Sequence, residues 1–583
     1  MTRCRTPLPA ALLVVALAPA CSRAPTLPAG SPDNGGLALP DGFEAVVVHE
    51  GVGRARHLAV TPDGDIYVKL RVPRPKGLAA LRDADGDGRA EQVEVFGAYE
   101  DTGDYGTAMR IHDGHLYFST AREVYRQKLT PGRLVPDSPV ELILTHDTSR
   151  VPTYEHVAMP VAFDNAGHMY VPFGAPGDVC QEFNRRPGAP GRNPCPELEW
   201  HGGIWQFDAD KAGQTDHDGR RYATGIRSAV GMAWNDSVGA LYALQHGRGN
   251  LYQSWPHHYS RWASAMLPSE EFFKVTEGFD GGWPYYYYDQ MQGRKLLNPE
   301  YGGDGKQEGD GRSLTPPILG FPGHFAPNDL LFYTGDQFPP RYRNGAFIAF
   351  HGSTIRTPYS QAGYFVGFVP FADGVPSGPW EVFADGFAGM TPIPNTSDAK
   401  MRPVGLAQGP DGSLYISDSV VGRIWRVMFK GNRDAFGPPQ LARMATHLEL
   451  PHVKTPHEED DILGREQLEA GGRLYETHCS TCHMPDGKGD GARYPPVAHT
   501  PYVTGDKARL AGIVLKGMQG PITVGTTTYN GVMPAFAFLE DEEIAQILTY
   551  IRRNFGNLAR SVEASDVAAA RAAPAAAEAQ PQR

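Results

Sequence analysis

The chain has 583 residues, 41% of them hydrophobic and 21% charged, a length that calls for two domains with linkers rather than one core. Its formal net charge of −12 argues against a nucleic-acid-binding surface. The 68 glycines and 51 prolines exceed what a helical protein uses and suit many short strands joined by turns.

Residues 1–20 read as an export signal, with Arg3 and Arg5 ahead of the apolar run 10–17 and small residues at Ala18 and Ala20. That run is too short to span a bilayer. Cys21 follows directly, so the chain is expected either as a lipoprotein acylated at Cys21 or as a plainly secreted protein cleaved just before it. A periplasmic, secreted or membrane-anchored location follows from either reading, and no later stretch is apolar enough for a transmembrane helix. Of the six cysteines, Cys4 leaves with the signal. Cys180 and Cys195 bracket a loop rich in Pro, Gly, Asn and Arg, and a disulfide closing it is the natural expectation in an oxidising compartment.

Between residues 38 and 430 a turn followed by a β-branched or aromatic strand recurs: DGDIYV (63–68), DGHLYFS (113–119), AGHMYVPFG (166–174), GALYALQHG (239–247), NGAFIAFHG (344–352) and DGSLYISD (411–418). Six such units predict an all-β, six-bladed β-propeller. A pair of β-sandwiches leaves the repeat unexplained. The long interval between Gly247 and Asn344 marks an insertion, placed on the face where propellers bind ligands. Asp83, Asp85 and Asp87 alternate with Ala84 and Gly86, which offers oxygen ligands for Ca2+ in the manner of an EF-hand loop; a solvated turn is the alternative.

Residues 431–461, with Pro438, Pro439, Pro451 and Pro456, are expected to form a semi-extended linker. A small all-α domain is expected over 462–558 and a disordered Ala/Glu/Gln/Pro-rich tail over 559–583. Within that domain a helix over 463–477 leads into Cys479-Ser480-Thr481-Cys482-His483. This is the attachment pattern for haem c: two thiols one helical turn apart reach the vinyl groups and the histidine falls against iron. A dithiol without haem is the bland alternative. With the glycine-rich turn 485–491, Met533 beside Pro534 and an amphipathic helix over 541–555, the stretch resembles a class I cytochrome c. The resemblance implies Met533 as sixth iron ligand, with Met518 and Met484 as rivals. His/Met ligation raises the haem potential, which suits an electron acceptor.

A cytochrome joined to a propeller implies that the propeller oxidises something. Gly53 to Val60 (GRARHLAV), Tyr154-Glu155-His156, Thr224-Gly225-Ile226-Arg227, Leu244-Gln245-His246-Gly247, Gly281-Gly282-Trp283-Pro284, His351-Gly352-Ser353 and Lys400-Met401-Arg402-Pro403 resemble, in that order, the pyrroloquinoline quinone (PQQ) aldose dehydrogenases, the L-sorbosone dehydrogenases above all. The resemblance implies His156 as catalytic base with Arg227 beside it, and Arg227, Lys400, Arg402, Ser353 and Asp104 around PQQ. It also implies Ca2+ held by the carbonyls of Gly247 and Arg248, supported by Glu270 and Glu271. Ser228 and Ser353 depart from the asparagine and lysine common in that family, and Asp104 stands nearest to an expected glutamine. The residue chemistry agrees: oxidising a C–H beside oxygen needs a base, for which histidine suits neutral pH. It also needs an electron sink that side chains do not supply, and PQQ carries three carboxylates that call for cations. The expected activity is PQQ-dependent oxidation of an aldose or related aldehyde, with electrons passing through haem c to a cytochrome or other respiratory acceptor. The alternative is a non-redox propeller, a lactone hydrolase or carbohydrate-binding module, carried beside the cytochrome.

Overall fold

The six turn-and-strand units become the second strands of six sheets: Ile66–Leu70, His115–Ser119, His168–Phe173, Ala240–Gln245, Ala346–Phe350 and Leu414–Asp418. The tight turn ahead of each needs a left-handed residue, supplied by Gly64 at φ 94° or, in the fifth unit, by Asn344 at φ 60°. The inner strands Ala55–Val60, Met109–His112, Ala162–Phe163, Ala229–Asn235, Pro327–Phe332 and Pro403–Gln408 each open a sheet, so the sheets stand as blades around one axis. The computed structural model describes residues 27–573 except 72–76, 98–105, 152–153, 310–313, 458–464, 526, 558 and 560. The export signal, Cys21 and Asp104 lie outside the described residues.

The ring is closed by its own ends. The N-terminal strand Phe43–His49 pairs antiparallel with Ile424–Phe429 as the outer strand of the sixth blade, with Phe43 opposite Phe429 and Val47 opposite Trp425. Phe43 also packs edge-on against Phe338 at 4.8 Å and Phe383 at 5.1 Å between ring centroids. Each such buried ring contributes roughly 1.5–3 kcal/mol, so the closure is hydrophobic as well as hydrogen-bonded. The interval after Gly247 carries the helices Leu251–Ser254 and Arg261–Met266 and the hairpin Tyr286–Asp289 with Arg294–Leu297.

The linker differs from the sequence expectation. Pro438–Ala445 is helical, and Met444 and Val453 are buried with Phe325, Phe365 and Val382 in the core of the fifth blade. His447 and His452 both bond Asp385, at 2.6 and 3.1 Å. Residues 431–457 are therefore a folded strap, because their apolar side chains find an uncovered blade face. The tail differs in the same way: Ala564–Ala572 is a helix whose Val567 and Ala570, with Val562, join the core of the all-α domain.

In that domain Arg465–His478 crosses the helix Asp541–Arg553. The crossing is close: a Cβ at Gly471 would lie 2.2 Å from the carbonyl oxygen of Gln546, so a side chain there would push the helices apart. Lys507–Lys516 buries Leu510, Ala511, Val514 and Leu515 against the same core. Trp262 Nε1 donates to Pro456 O of the strap at 2.6 Å, and Arg553 Nη1 donates to Pro394 O at 3.2 Å, a bond between the two domains.

Candidate active site and haem cavity

His156 sits in the extended run before the third blade's inner strand, half-buried. Its Nδ1 lies 2.7 Å from Ala175 O. A carbonyl can only accept, so Nδ1 carries the proton and Nε2 keeps its lone pair. Burial, then the charge of Arg227, lowers its pKa to about 3, which keeps the imidazole neutral, with Nε2 unprotonated, across the working range.

Arg227 follows the turn at Gly225 and is held buried by Asp178, with Nη2 to Oδ1 at 2.6 Å and Nε to the Asp178 carbonyl at 3.0 Å. Its Nη1 reaches the carbonyls of His246 and Gly247 at 3.2 and 3.3 Å. Asp178 also pairs with Arg248 at 3.4 Å and Arg185 at 3.7 Å, and the three guanidiniums hold its carboxyl well below the usual range against the cost of burial. Arg185 in turn bonds Glu155, the neighbour of His156, at 3.0 Å. Sequence reasoning misses Asp178 and Arg185; Asp178 stands two residues before, and Arg185 within, the loop closed by the Cys180–Cys195 disulfide, which the structure contains. With its two cysteines 15 positions apart in sequence, that disulfide is worth about 3 kcal/mol. Replacing both cysteines by serine is expected to lower the unfolding free energy by about that amount, read from the fall of the urea midpoint at unchanged m, and an unchanged midpoint would contradict it.

Across the axis lies a second group. Arg402 donates Nε to His351 O at 3.0 Å and Nη2 to His351 Nδ1 at 2.8 Å, and its own N–H goes to Asp418 at 2.6 Å. Arg54 and Arg71 are close enough to Arg402, and Arg56 and Arg71 to His351, for their charges to act on them. His246 links the two groups, feeling both Arg227 and Arg56. The Ser353 hydroxyl beside them is buried with no hydrogen-bond partner among the described residues. A concentration of arginines with a spare hydroxyl is the donor set that a polycarboxylate such as PQQ requires. The first-blade arginines stood in the sequence as part of GRARHLAV, but nothing local showed that they meet Arg402. Lys400 does not join them and is a correction: it is exposed, with its side chain packed over Gly389, where a Cβ would lie 2.6 Å from Cδ of Lys400.

The residues expected around calcium fit a cation less well. Gly247 O already accepts from Arg227. Glu270 accepts the N–H groups of Gly247 and Ala326 at 2.9 and 3.1 Å, and Glu271 is bound by Lys295 and Gln245. Arg248 turns to Asp178 and Glu300. Guanidiniums hold the ground that a dication would take, so no step is assigned to calcium there.

Burial also shapes the pH response. It lowers His57, His246 and His324 to about 4 and His201, like His156, to about 3 from an ordinary 6.5. Below 6.5 the unfolded chain binds protons that the folded one refuses, so stability falls as pH drops from 6.5 toward 3. Glu270 acts oppositely: burial raises it from 4.5 to about 7, so stability from this group falls as pH rises through that window. Seven propeller histidines are lowered in this way, His49 and His351 included, against five raised carboxylates, Glu270 with Glu197, Glu271, Glu381 and Asp418, and the denaturation midpoint is expected to be lower at pH 5 than at pH 7.5. Equal midpoints would contradict this balance.

In the all-α domain Cys479, Cys482 and His483 line a shared apolar cavity with Met518, Met533, Tyr494 and Pro495. Both thiols are unlinked. His483 Nδ1 donates to Pro495 O at 2.8 Å, which fixes the tautomer and leaves Nε2 for a metal. The cavity thus offers paired thiols, a directed imidazole and two thioethers, a set that fits haem c. The cytochrome c family matches residues 468–554. Cytochrome c-552 of Thermus thermophilus is 38% identical over 91 residues, 15% of this chain and 69% of that protein.

The C-terminal domain belongs to the cytochrome c family. A second Thermus thermophilus cytochrome c-552 is matched over 61% of its length. The cytochrome c subunit of the quinone alcohol dehydrogenase of Gluconobacter oxydans is 38% identical over 104 residues, 17% of this chain but only 22% of that subunit. Ahead of the cytochrome, residues 249–430 match the TrAA12-like family. The PQQ domain of pyranose dehydrogenase from Coprinopsis cinerea superposes with a TM-score of 0.53 at 19% identity, over 67% of this chain and 97% of that one. A family AA12 protein of Trichoderma reesei gives 0.53 at 18% identity, over 68% and 97%. At these identities the likeness establishes the propeller fold. No helix among the described residues is long and apolar enough to cross a membrane.

Proposed function

We propose that the propeller is a PQQ-dependent dehydrogenase for an aldose or related aldehyde, and that the cytochrome passes the electrons on to a respiratory acceptor outside the cytoplasm. The observation that carries this reading is His156 with its Nδ1–H fixed on Ala175 O and its Nε2 left unprotonated, within reach of the charge of Arg227, in a propeller that also gathers Arg54 and Arg71 near Arg402. PQQ, when bound, supplies a two-electron acceptor. Arg402, Arg227 and the Ser353 hydroxyl would hold it, with Arg54, Arg56 and Arg71 adding positive potential. His156 Nε2 takes the hydroxyl proton of the sugar, and Ala175 O stabilises the resulting imidazolium through Nδ1–H. Asp178 keeps Arg227 in place, and Glu155 restrains Arg185 at the rim. In the cytochrome, Cys479 and Cys482 would hold haem, and His483 and Met533 would be its protein ligands for iron.

The test is haem absorbance of the purified protein on mixing with aldoses and sorbosone, with and without PQQ. Reduction only in the presence of PQQ is expected. A haem that stays oxidised with every sugar, yet responds to dithionite, would leave the hydrolase or binding-module reading in its place.

The first-blade loop is a second proposed feature. Asp83, Asp85, Asp87 and Glu91 bring carboxylate oxygens within 4.8 Å of one another, while Asp83 holds the N–H groups of Gly86 and Gly88 at 2.7 and 2.8 Å. Such a loop suits Ca2+, with Glu91 as a further ligand. Saturating Ca2+ is expected to raise Tm by a few degrees, and the Asp85→Asn/Asp87→Asn protein is expected to lose that response. An equal response in both would assign the loop to a solvated turn.

A further inference from the structure

The two domains flank an open cleft of about 490 Å3 that the activity above does not use. The propeller insertion contributes Asn250, Gln253 and Arg261, and the cytochrome contributes Arg553 and Asn554 from the end of its last long helix. We propose that this cleft binds a small polyol bearing one oxyanion, a sugar carboxylate or sugar phosphate, gripped by Arg261 from one domain and Arg553 from the other.

Arg553 makes the case. It is only 9% exposed, its Nη1 bonds Pro394 O across the interface, and its Nε–H is buried with no hydrogen-bond partner among the described residues. A buried guanidinium with an unmet donor is costly unless an acceptor arrives. Burial lowers its pKa to about 10, which leaves it charged at neutral pH. Asp398 is the carboxylate whose charge reaches it, and Asp398 does not line the cleft. Arg261 lies 5.2 Å over the Tyr252 ring, and its charge reaches Tyr550 of the cytochrome. The cations of both domains therefore face one space. No aspartate or glutamate among the described residues lines it, in a chain of net charge −12. An oxyanion would meet the spare Nε–H through a charge-assisted bond, and the flanking amides suit hydroxyl groups, which both donate and accept. The volume holds a monosaccharide with its water.

The test uses the full chain with haem attached and PQQ absent, titrated calorimetrically with gluconate, glucose 6-phosphate and glucose. Saturable binding of at least one anion is expected, tighter than glucose, and the tighter anion names the source. Arg553→Gln and Arg261→Gln are each expected to weaken it about tenfold, while Arg402→Gln leaves it unchanged. Arg261 is only partly buried, so that variant reports even if Arg553→Gln loosens the interface. Absence of saturable binding, binding that survives both substitutions, or binding lost with Arg402→Gln overturns the proposal. Because PQQ is absent, none of these outcomes depends on the dehydrogenase reading.

Discussion

Replacing His156 by alanine lowers the rate of sugar-dependent haem reduction by about two to four orders of magnitude, the usual worth of a positioned general base. The α-band of the dithionite-reduced haem stays unchanged, because the cytochrome lies in a separate domain. The expectation rests on the tautomer: Nδ1 is committed to Ala175 O at 2.7 Å, so only Nε2 can accept a proton. With its pKa near 3, the free protein should show no loss of base function on the acid side down to the pH where folding itself fails. Full turnover in the variant, with normal haem, would remove His156 from the chemistry. Arg402→Gln is the companion measurement. If Arg402 holds the cofactor, its loss raises the PQQ concentration needed for half-maximal reduction, with turnover at saturating PQQ less affected.

Replacing Met533 by alanine lowers the haem potential by roughly a few tenths of a volt, within the ~0.8 V range that axial ligands span. Met518→Ala moves it much less. The two methionines face each other in register across a short ladder and both line the haem cavity, so proximity does not separate them. Packing does: Met533 is packed against the domain core while Met518 is not. The Met533–Pro534–Ala535 backbone is also clamped under Gly517, where a Cβ would lie 2.6 Å from Met533 O. A thioether on a clamped loop is held for the metal without further loss of entropy. The larger fall in the Met518 variant would reverse the assignment, and equal falls would mean that the ladder as a whole sets the potential.

The fold was legible where the signal is local and repeated. Each second strand carries its own turn residue and its own apolar alternation, so Asp63-Gly64 or Asn344-Gly345 announces a strand without reference to any other blade. The linker and the tail were misjudged for the converse reason. Their composition is that of extended or disordered chain, and Met444, Val453 and Val567 become buried only because a blade face and a helix pair stand ready to receive them.

The amino-acid sequence by itself determined the six-fold repeat, the Cys479-Ser480-Thr481-Cys482-His483 motif of the cytochrome c domain and the Cys180–Cys195 pairing, since each is carried by contiguous residues or by cysteine count. Tertiary structure alone decided the rest. It brought Asp178, just ahead of the disulfide loop, onto Arg227, set Arg54 and Arg71 near Arg402 and Arg56 near His351, turned Lys400 outward, and placed Arg261 and Arg553 on one cleft. The physical reason is that charge acts through space, over distances that the ring of blades sets and that spacing along the chain does not encode.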